Sequence, residues 1–183
     1  MHPVMIKLAQ DHARLGRLID LLEEVLNRFH DGAEPDYELM EELLEYMETY
    51  ADTVHHPTED LIFQRVLDKG AGHHEVFGIL MRQHAGLSQL AKRFRTALGG
   101  ILREEVLLRE DVEADGRALV GNFRGHIVLE DREAFPIASE CLTDADWAEI
   151  EAVAPVAEDP LFGSPDPRRF KALYRQLFEQ IHN

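Results

Sequence analysis

Apolar residues recur at intervals of three and four along four long segments of the chain, the pattern of the buried face of an amphipathic helix. The segments cover about residues 3–30, 36–68, a stretch that begins near 73, and 109–137. The third contains Gly99-Gly100, which either ends a helix or weakens its middle. Turn-forming residues, 31–36 and 70–72, separate the first three segments. The pattern therefore predicts four helices joined by short connections.

The residues after about 140 predict additional helices. Thr143 is a suitable N-cap and is followed by acidic residues, which predicts a short helix ending near 153. A proline-rich connector covers about 155–167, and a final helix covers about 168–181. The apolar face of this last helix must pack on the bundle or on another chain. We therefore expect a bundle in residues 1–140 and a C-terminal helical extension in residues 141–183.

Four helices with short connections favour an up-down-up-down arrangement. Glu, Leu, Ala and Arg are plentiful and β-branched residues are sparse, which also favours helices. The predicted fold is all-α: an up-down-up-down four-helix bundle with additional C-terminal helices. Within it, Pro57 should kink the second helix near the His55 motif, because proline removes a backbone hydrogen bond. Gly121 and Gly125 predict a close approach of a neighbouring helix to the fourth.

Charge and composition exclude several classes of partner. A net charge of −16 argues against nucleic-acid binding and against docking on anionic lipid. No apolar run approaches the roughly 20 residues that cross a bilayer, and the first residues lack the apolar core of a signal peptide. Cys141 is the single cysteine, so no internal disulfide can form. We expect a soluble, cytoplasmic protein.

Two segments of the chain repeat the same pairing of a histidine with a glutamate four residues later. One is His55 with Glu59, and the other is His126 with Glu130. On a helix, residues four apart lie on the same face, so each pair directs an imidazole and a carboxylate to one point. His12 and His84 lie on the apolar stripes of the other two helices. These pairs therefore predict the two halves of a metal site.

The positions of the turns predict that these side chains meet at one height in the bundle. In an up-down topology, two residues at the same height are equidistant along the chain from the turn between them. The midpoint between His12 and His55 falls in the turn at 31–36, and the midpoint between the His55 motif and His84 falls near Gly70-Ala71. The same rule places the third turn near 105–106, so helix three should run through Gly99-Gly100. We therefore expect one polar layer, formed by His12, His55, Glu59, His84, His126 and Glu130.

Two ionised carboxylates in a bundle core need compensating charge, and no Lys or Arg lies on the inner stripes. One or two divalent cations would supply it. Imidazole and carboxylate donors suit iron, manganese or zinc better than Ca²⁺ or Mg²⁺. Six protein donors do not fill two six-coordinate ions, even with bridging glutamates. Positions for water or a small ligand therefore remain.

The pattern His, His-x-x-x-Glu, His, His-x-x-x-Glu on four helices resembles the bacterial hemerythrin-like (HHE cation-binding) family. The similarity is strongest in residues 55–63 and in His126 to Glu130, which Phe135-Pro136 follows. The resemblance implies two iron ions with an oxo or hydroxo bridge, which meet O₂, NO or peroxide. Oxygen-carrying hemerythrins have a fifth histidine in a His-x-x-x-His motif, where this chain has Glu130. This departure implies fewer histidine ligands than in the oxygen-carrying hemerythrins and a different open position at the metal.

Several functions remain open at this point. The first is a di-iron protein that binds or senses O₂, NO or peroxide; the others are an enzyme that turns over peroxide or NO, and a metal-storage or interaction module. A homodimer through the C-terminal helix is a further expectation. His56 should point about 100° away from His55 on a regular helix and so lie outside the ligand set. The alternative is that Pro57 distorts the turn and His56 becomes a ligand. Tyr50 is expected to pack in the core, with a hydrogen bond to a metal-bound oxygen as the alternative. His74 is expected to face solvent or cap helix three.

Overall fold

The computed structural model describes residues 2–70, 72, 74–103, 108–163 and 168–179. These residues form helices and no strand. The bundle consists of α1 (Pro3–His30), α2 (Tyr37–Tyr46), a π-helical segment (Met47–His55), α3 (His56–Asp68), α4 (His74–Leu102), α5 (Arg109–Leu129), a second π-helical segment (Glu130–Ala134) and α6 (Phe135–Cys141). The C-terminal extension contains α7 (Asp144–Val153), α8 (Lys171–Tyr174) and a third π-helical segment (Arg175–Glu179). The predicted all-α fold is confirmed.

The helix boundaries agree with the sequence pattern at most points. Helix α4 passes through Gly99-Gly100 without a break, as the turn midpoints require. The fourth long helix continues to Cys141, beyond the expected end near 137, and the final helix begins at Lys171 rather than near 168. The turn predicted near 105–106, Ala71 and the end of the last helix at 180–181 lie outside the described residues.

Both long helices that carry a His-x-x-x-Glu motif change to π-helical hydrogen bonding just before a proline. The N–H of His56 donates to the carbonyl of Ala51, and Pro57 follows at once. The N–H of Phe135 donates in the same way to the carbonyl of Glu130, and Pro136 follows. A π-helical turn holds one extra residue and rotates the residues after it, and such turns are frequent at functional sites. The hydrogen bonding of the second helix therefore changes just before Pro57, and the kink expected there stays a prediction.

Close packing between the helices centres on Gly116 in α5. A Cβ atom at this position would lie 2.7 Å from Cδ2 of Leu26 in α1 and 2.9 Å from Cζ of Phe94 in α4. Gly116 therefore lets α5 approach both neighbours. The prediction that Gly121 and Gly125 serve this purpose is wrong, because a Cβ at either would meet no atom within 4 Å. Both glycines lie on the face of α5 that points away from its neighbours, which explains the difference.

A polar layer divides the hydrophobic core into two clusters. One cluster contains Leu15 of α1, Val54 before the first motif and Leu87 of α4. The other contains Leu8 of α1 and Leu80 of α4. On each helix the metal-type residues lie between members of the two clusters. The single layer inferred from the turn positions is therefore observed.

The extension packs on the bundle in the part of it that the structure describes. Thr143 and Asp146 form a capping box at the start of α7, because the Thr143 side chain accepts from the Asp146 N–H and Asp146 accepts from the Thr143 N–H. Phe170 and Leu173 are fully buried, and the N–H of Leu173 donates to Oε2 of Glu42 in α2 at 2.8 Å. Among the described helices, none has the length and apolarity needed to cross a membrane.

Candidate metal centre

The structure brings together all six side chains that the sequence predicted. Their exposed fractions lie between 0 and 6% although every one of them is polar or charged. They come from four long helices: His12 from α1, His55 and Glu59 from the second, His84 from α4, and His126 and Glu130 from the fourth. A buried set of this kind needs partners that the apolar core cannot supply.

His56 is a seventh member of the cluster and corrects the expectation that it lies outside. It is 4% exposed, and its ring stacks on that of His84 with centroids 4.4 Å apart. Glu59 lies four residues after His55 but three after His56, and both spacings share a helix face. The segment that ends at His55 is π-helical, so the angle of 100° per residue, which holds for a regular α-helix, does not apply to it. The cluster thus has five imidazoles, not four.

The two glutamates lie between the imidazoles and are approached by them from several helices. Oε1 of Glu59 lies 3.1 Å from Nε2 of His12 and 3.3 Å from Nε2 of His55, whereas Oε2 lies 3.4 Å from Nε2 of His84. Each oxygen of Glu59 therefore faces a different set of histidines. A carboxylate placed in this way is suited to bridging two cations.

Glu130 repeats this arrangement from the opposite side of the bundle. Its Oε2 lies 3.2 Å from Nε2 of both His12 and His126, and its Oε1 lies 3.3 Å from Nε2 of His84. The donor atoms fall into two groups, in each of which all ligand atoms lie within 4.8 Å of one another. One group contains His12, His55 and Glu59, and the other contains His56, Glu59, His84 and His126. Glu59 belongs to both groups, and Glu130 belongs to neither, although its oxygens lie 3.2–3.3 Å from His12, His84 and His126.

Four of the five inward-pointing imidazoles have an outer hydrogen-bond partner or close carboxylate at Nδ1. Nδ1 of His12 lies 2.8 Å from Asp131, Nδ1 of His84 lies 2.8 Å from Asp60, and Nδ1 of His126 lies 2.9 Å from Oε1 of Gln83. Nδ1 of His56 lies 3.4 Å from Asp52. A carboxylate or amide oxygen only accepts, so Nδ1 carries the proton in the bonded rings and Nε2 is left as the ligand atom.

Two of these partners, Asp60 and Asp131, are functional residues that the sequence reasoning missed. Each directly follows the glutamate of a motif, so the repeated unit is His-x-x-x-Glu-Asp. Each aspartate reaches across to a histidine on a neighbouring helix: Asp60 to His84 and Asp131 to His12. The shared Glu-Asp dipeptide was the available signal.

Several buried polar atoms at the centre have no hydrogen-bond partner. They include Oε2 of Glu59 and of Glu130, and Nε2 of His56 and of His126. Nε2 of His126 and Oε2 of Glu130 lie 3.2 Å apart without forming a hydrogen bond. Leaving such atoms unpaired costs about 1–3 kcal/mol each. Imidazole nitrogens and carboxylate oxygens directed at shared points fit transition-metal cations.

A family model described as the hemerythrin HHE cation-binding domain matches residues 6–138. The chain belongs to this family. Searches of curated proteins and of solved structures gave no match. Because the chain belongs to this family, its bundle is expected to bind cations, and the buried histidines and glutamates supply the ligand atoms.

In the metal-free hemerythrin HHE domain, protonated imidazoles compensate the two glutamates. Burial opposes the charge on His12, but hydrogen bonds to Asp131, Glu130 and Glu59 outweigh it and raise its pKa to about 12. For His84, bonds to Asp60, Glu130 and Glu59 likewise overcome burial and raise the pKa to about 11. Burial would raise the pKa of Glu59, yet the neighbouring imidazoles hold it well below the ordinary value.

His126 and His56 behave differently from His12 and His84. Burial lowers the pKa of His126 to about 4, and it lowers the pKa of His56 as well. Both rings are therefore neutral near pH 7. Neutral imidazole is the form that binds a cation, so His56 and His126 need lose no proton on metal binding, whereas His84 must lose one.

The other residues considered from sequence take no part in the inner cluster. Tyr50 is buried, and its hydroxyl donates to Asp11 at 3.0 Å, on the outer side of His55. His74 is exposed at the start of α4, as expected. Cys141 is partly exposed at the end of α6. His73 lies outside the described residues.

Proposed function

We propose that this hemerythrin HHE domain holds two iron ions and binds or senses O₂, NO or peroxide with them. The observation that carries the proposal is the buried cluster of two glutamates and five imidazoles, with orphaned oxygens and nitrogens directed inward. His12, His55, Glu59, His84, His126 and Glu130 are the proposed ligands, and His56 joins them. Glu59 and Glu130 are the proposed bridges. Bound iron would supply the electron-transfer chemistry that O₂, NO and peroxide require.

The chemistry of the donors favours iron, with manganese or zinc as the alternatives. Imidazole suits iron and zinc, whereas carboxylate oxygen suits harder cations such as manganese, and a mixed set is typical of non-haem iron. The group formed by Glu59 with His56, His84 and His126 has three imidazoles, and the group formed by Glu59 with His12 and His55 has two. The His12–His55 side would therefore offer a cation fewer imidazoles and more room for an exogenous ligand, with Glu130 as a further donor near His12.

The burial of the centre favours a very small ligand. The cluster residues are at most 6% exposed, and aromatic rings cover two of them. Phe135 stacks on His12 with centroids 5.0 Å apart, and Phe63 stacks on His84 at 6.1 Å. This apolar cover leaves little access for a larger substrate and suits a diatomic molecule or peroxide.

Anaerobic reconstitution with ferrous iron tests the proposal. We expect two irons per chain by metal analysis and by anomalous scattering at the iron edge. The optical spectrum should then change on addition of O₂, NO or peroxide. The di-iron centre would be contradicted if the chain took up no iron, or if metal analysis found a single zinc per chain. Stoichiometric consumption of peroxide or NO supports binding or sensing, whereas multiple turnovers would assign an enzymatic function.

A further inference from the structure

A buried charged group lies on the outer side of His55. Asp11, which precedes His12 in α1, is only 1% exposed. Its Oδ2 accepts from Nζ of Lys7 at 2.8 Å and from the Tyr50 hydroxyl at 3.0 Å. The same Oδ2 faces Nδ1 of His55 at 3.6 Å. Asp11 is thus the carboxylate that faces the outer nitrogen of His55. At 3.6 Å the contact is longer than the 2.8 Å hydrogen bonds from Asp131 and Asp60, and Nδ1 of His55 is a buried atom without a hydrogen-bond partner.

Arg14 connects Asp11 to the C-terminal extension. Its Nη1 lies 3.3 Å from Oδ1 of Asp11 and 3.3 Å from Oδ2 of Asp159. Asp159 is 6% exposed, and its Oδ2 also accepts from the Tyr46 hydroxyl at 3.1 Å. The extension therefore places a buried carboxylate against Arg14, the same side chain that contacts Asp11 beside His55.

The local backbone of the extension holds Asp159 in place. Its Oδ1 accepts from the N–H groups of Leu161 and Phe162, each at 2.9 Å. The guanidinium of Arg14 lies over the ring of Phe162, 5.2 Å from its centroid. Arg14 is thus fixed between the extension and Asp11 by both charge and packing.

Stability alone does not account for this network. Buried ion pairs are often no better for stability than apolar residues of the same volume, because each charge loses its hydration. Four other cluster imidazoles have an oxygen near Nδ1, at distances between 2.8 and 3.4 Å. Asp11 supplies the carboxylate that faces the fifth. Such outer partners orient the imidazole of a metal site.

We propose that Asp11 is a positioning residue for His55, and that Asp159 of the C-terminal extension holds Asp11 there through Arg14. The inference rests on the metal centre proposed above. The extension then contributes directly to that centre, because a segment outside the family match at 6–138 completes the support of one ligand.

Cobalt(II) titration of the full chain tests the inference, because the visible spectrum of cobalt reports the geometry of its ligands. Asp11→Asn keeps the size of the side chain and removes its charge. We expect cobalt affinity to fall about 10–100-fold at one of two positions, with an altered spectrum. Asp159→Asn should shift affinity and spectrum in the same direction by a smaller factor, although it is remote from the metal.

Arg169→Ala is the matched control. Arg169 Nε contacts Oε1 of Glu45 at 2.7 Å, so this change also breaks a polar contact between extension and bundle, but one made to Glu45 and not to Asp11, Arg14 or Asp159. It should leave affinity and spectrum unchanged. Urea unfolding of each metal-free variant separates positioning from stability, since a purely structural role moves the midpoint and not the spectrum.

Three results would overturn the inference. The first is that Asp11→Asn and Asp159→Asn both fold, bind cobalt and keep the wild-type spectrum and affinity. That result would refute the positioning role but not the metal centre. An equal loss in Arg169→Ala would assign the effect to general loosening of the extension. A wild-type chain that binds no cobalt, iron or zinc would refute the metal centre itself, and the inference with it.

Discussion

Glu130→Gln is the most informative single change, because Glu130 faces imidazoles of both metal groups. It is fully buried, with one oxygen 3.2 Å from His12 and His126 and the other 3.3 Å from His84. Glutamine preserves the shape and removes the negative charge. If Glu130 bridges two cations, the change weakens both positions at once.

The magnitude follows from linkage between metal binding and folding. A ligand at a hundred times its Kd stabilises the native state by about 2.7 kcal/mol, so two ions give about 5 kcal/mol. For a chain of 183 residues, this corresponds to a rise in Tm of roughly 10–20 °C. A hundredfold loss of affinity brings the metal concentration to the Kd and leaves about 0.4 kcal/mol per ion. Most of the metal-induced shift should therefore vanish.

The assay is thermal unfolding with and without ferrous iron under anaerobic conditions, at one fixed metal concentration. Glu133→Gln is the control, since Glu133 is exposed on the same helix and the change in charge is identical. We expect Glu133→Gln to keep the full rise in Tm. If Glu130→Gln kept it as well, the bridging role of Glu130 would be refuted.

Three further predictions concern protons, His56 and helix packing. Metal binding at pH 7 should release protons, because His12 and His84, with pKa values of about 12 and 11 in the metal-free protein, must lose them to become ligands. The apparent metal affinity should therefore rise with pH. Titration calorimetry in buffers of different ionisation enthalpy measures the number of protons released. His56→Ala should lower iron affinity at one position, as measured by chelator competition. The loss should exceed the factor of about 10–100 that is typical when a hydrogen-bond partner of a ligand is removed. Gly116→Ala should destabilise the protein by about 1–3 kcal/mol through overpacking, whereas Gly121→Ala, which meets open space, should stabilise it by about 0.5–1 kcal/mol, both by urea unfolding.

Each of these predictions has an outcome that contradicts it. Affinity that is independent of pH would mean that neutral imidazoles already face the site. Full retention of iron by His56→Ala would place His56 outside the ligand set, as the sequence interpretation held. Equal effects of alanine at Gly116 and Gly121 would show that the close contact of α5 with Leu26 and Phe94 relaxes freely.

The outer hydrogen bonds show the limit of reasoning from the sequence. Asp60 and Asp131 are partly exposed acidic residues on helix surfaces, like many others in a chain of this charge. Only the crossing of neighbouring helices brings them to Nδ1 of His84 and His12. Gln83 at His126 and Asp11 at His55 depend on the same kind of contact. Nothing in the spacing along one helix specifies a partner on another.

The sequence by itself determined the four long helices, the polar layer and six of the seven clustered side chains. It could do so because a helix has a fixed rise and a fixed periodicity, so spacing gives the face of each residue and the turns give its height. Tertiary structure decided the rest. A π-helical segment before Pro57 departs from that periodicity, and His56, which follows it directly, lies buried in the cluster. Packing between distant segments then placed Asp159 of the extension beside Arg14, because contacts across the bundle depend on how whole helices are arranged in space.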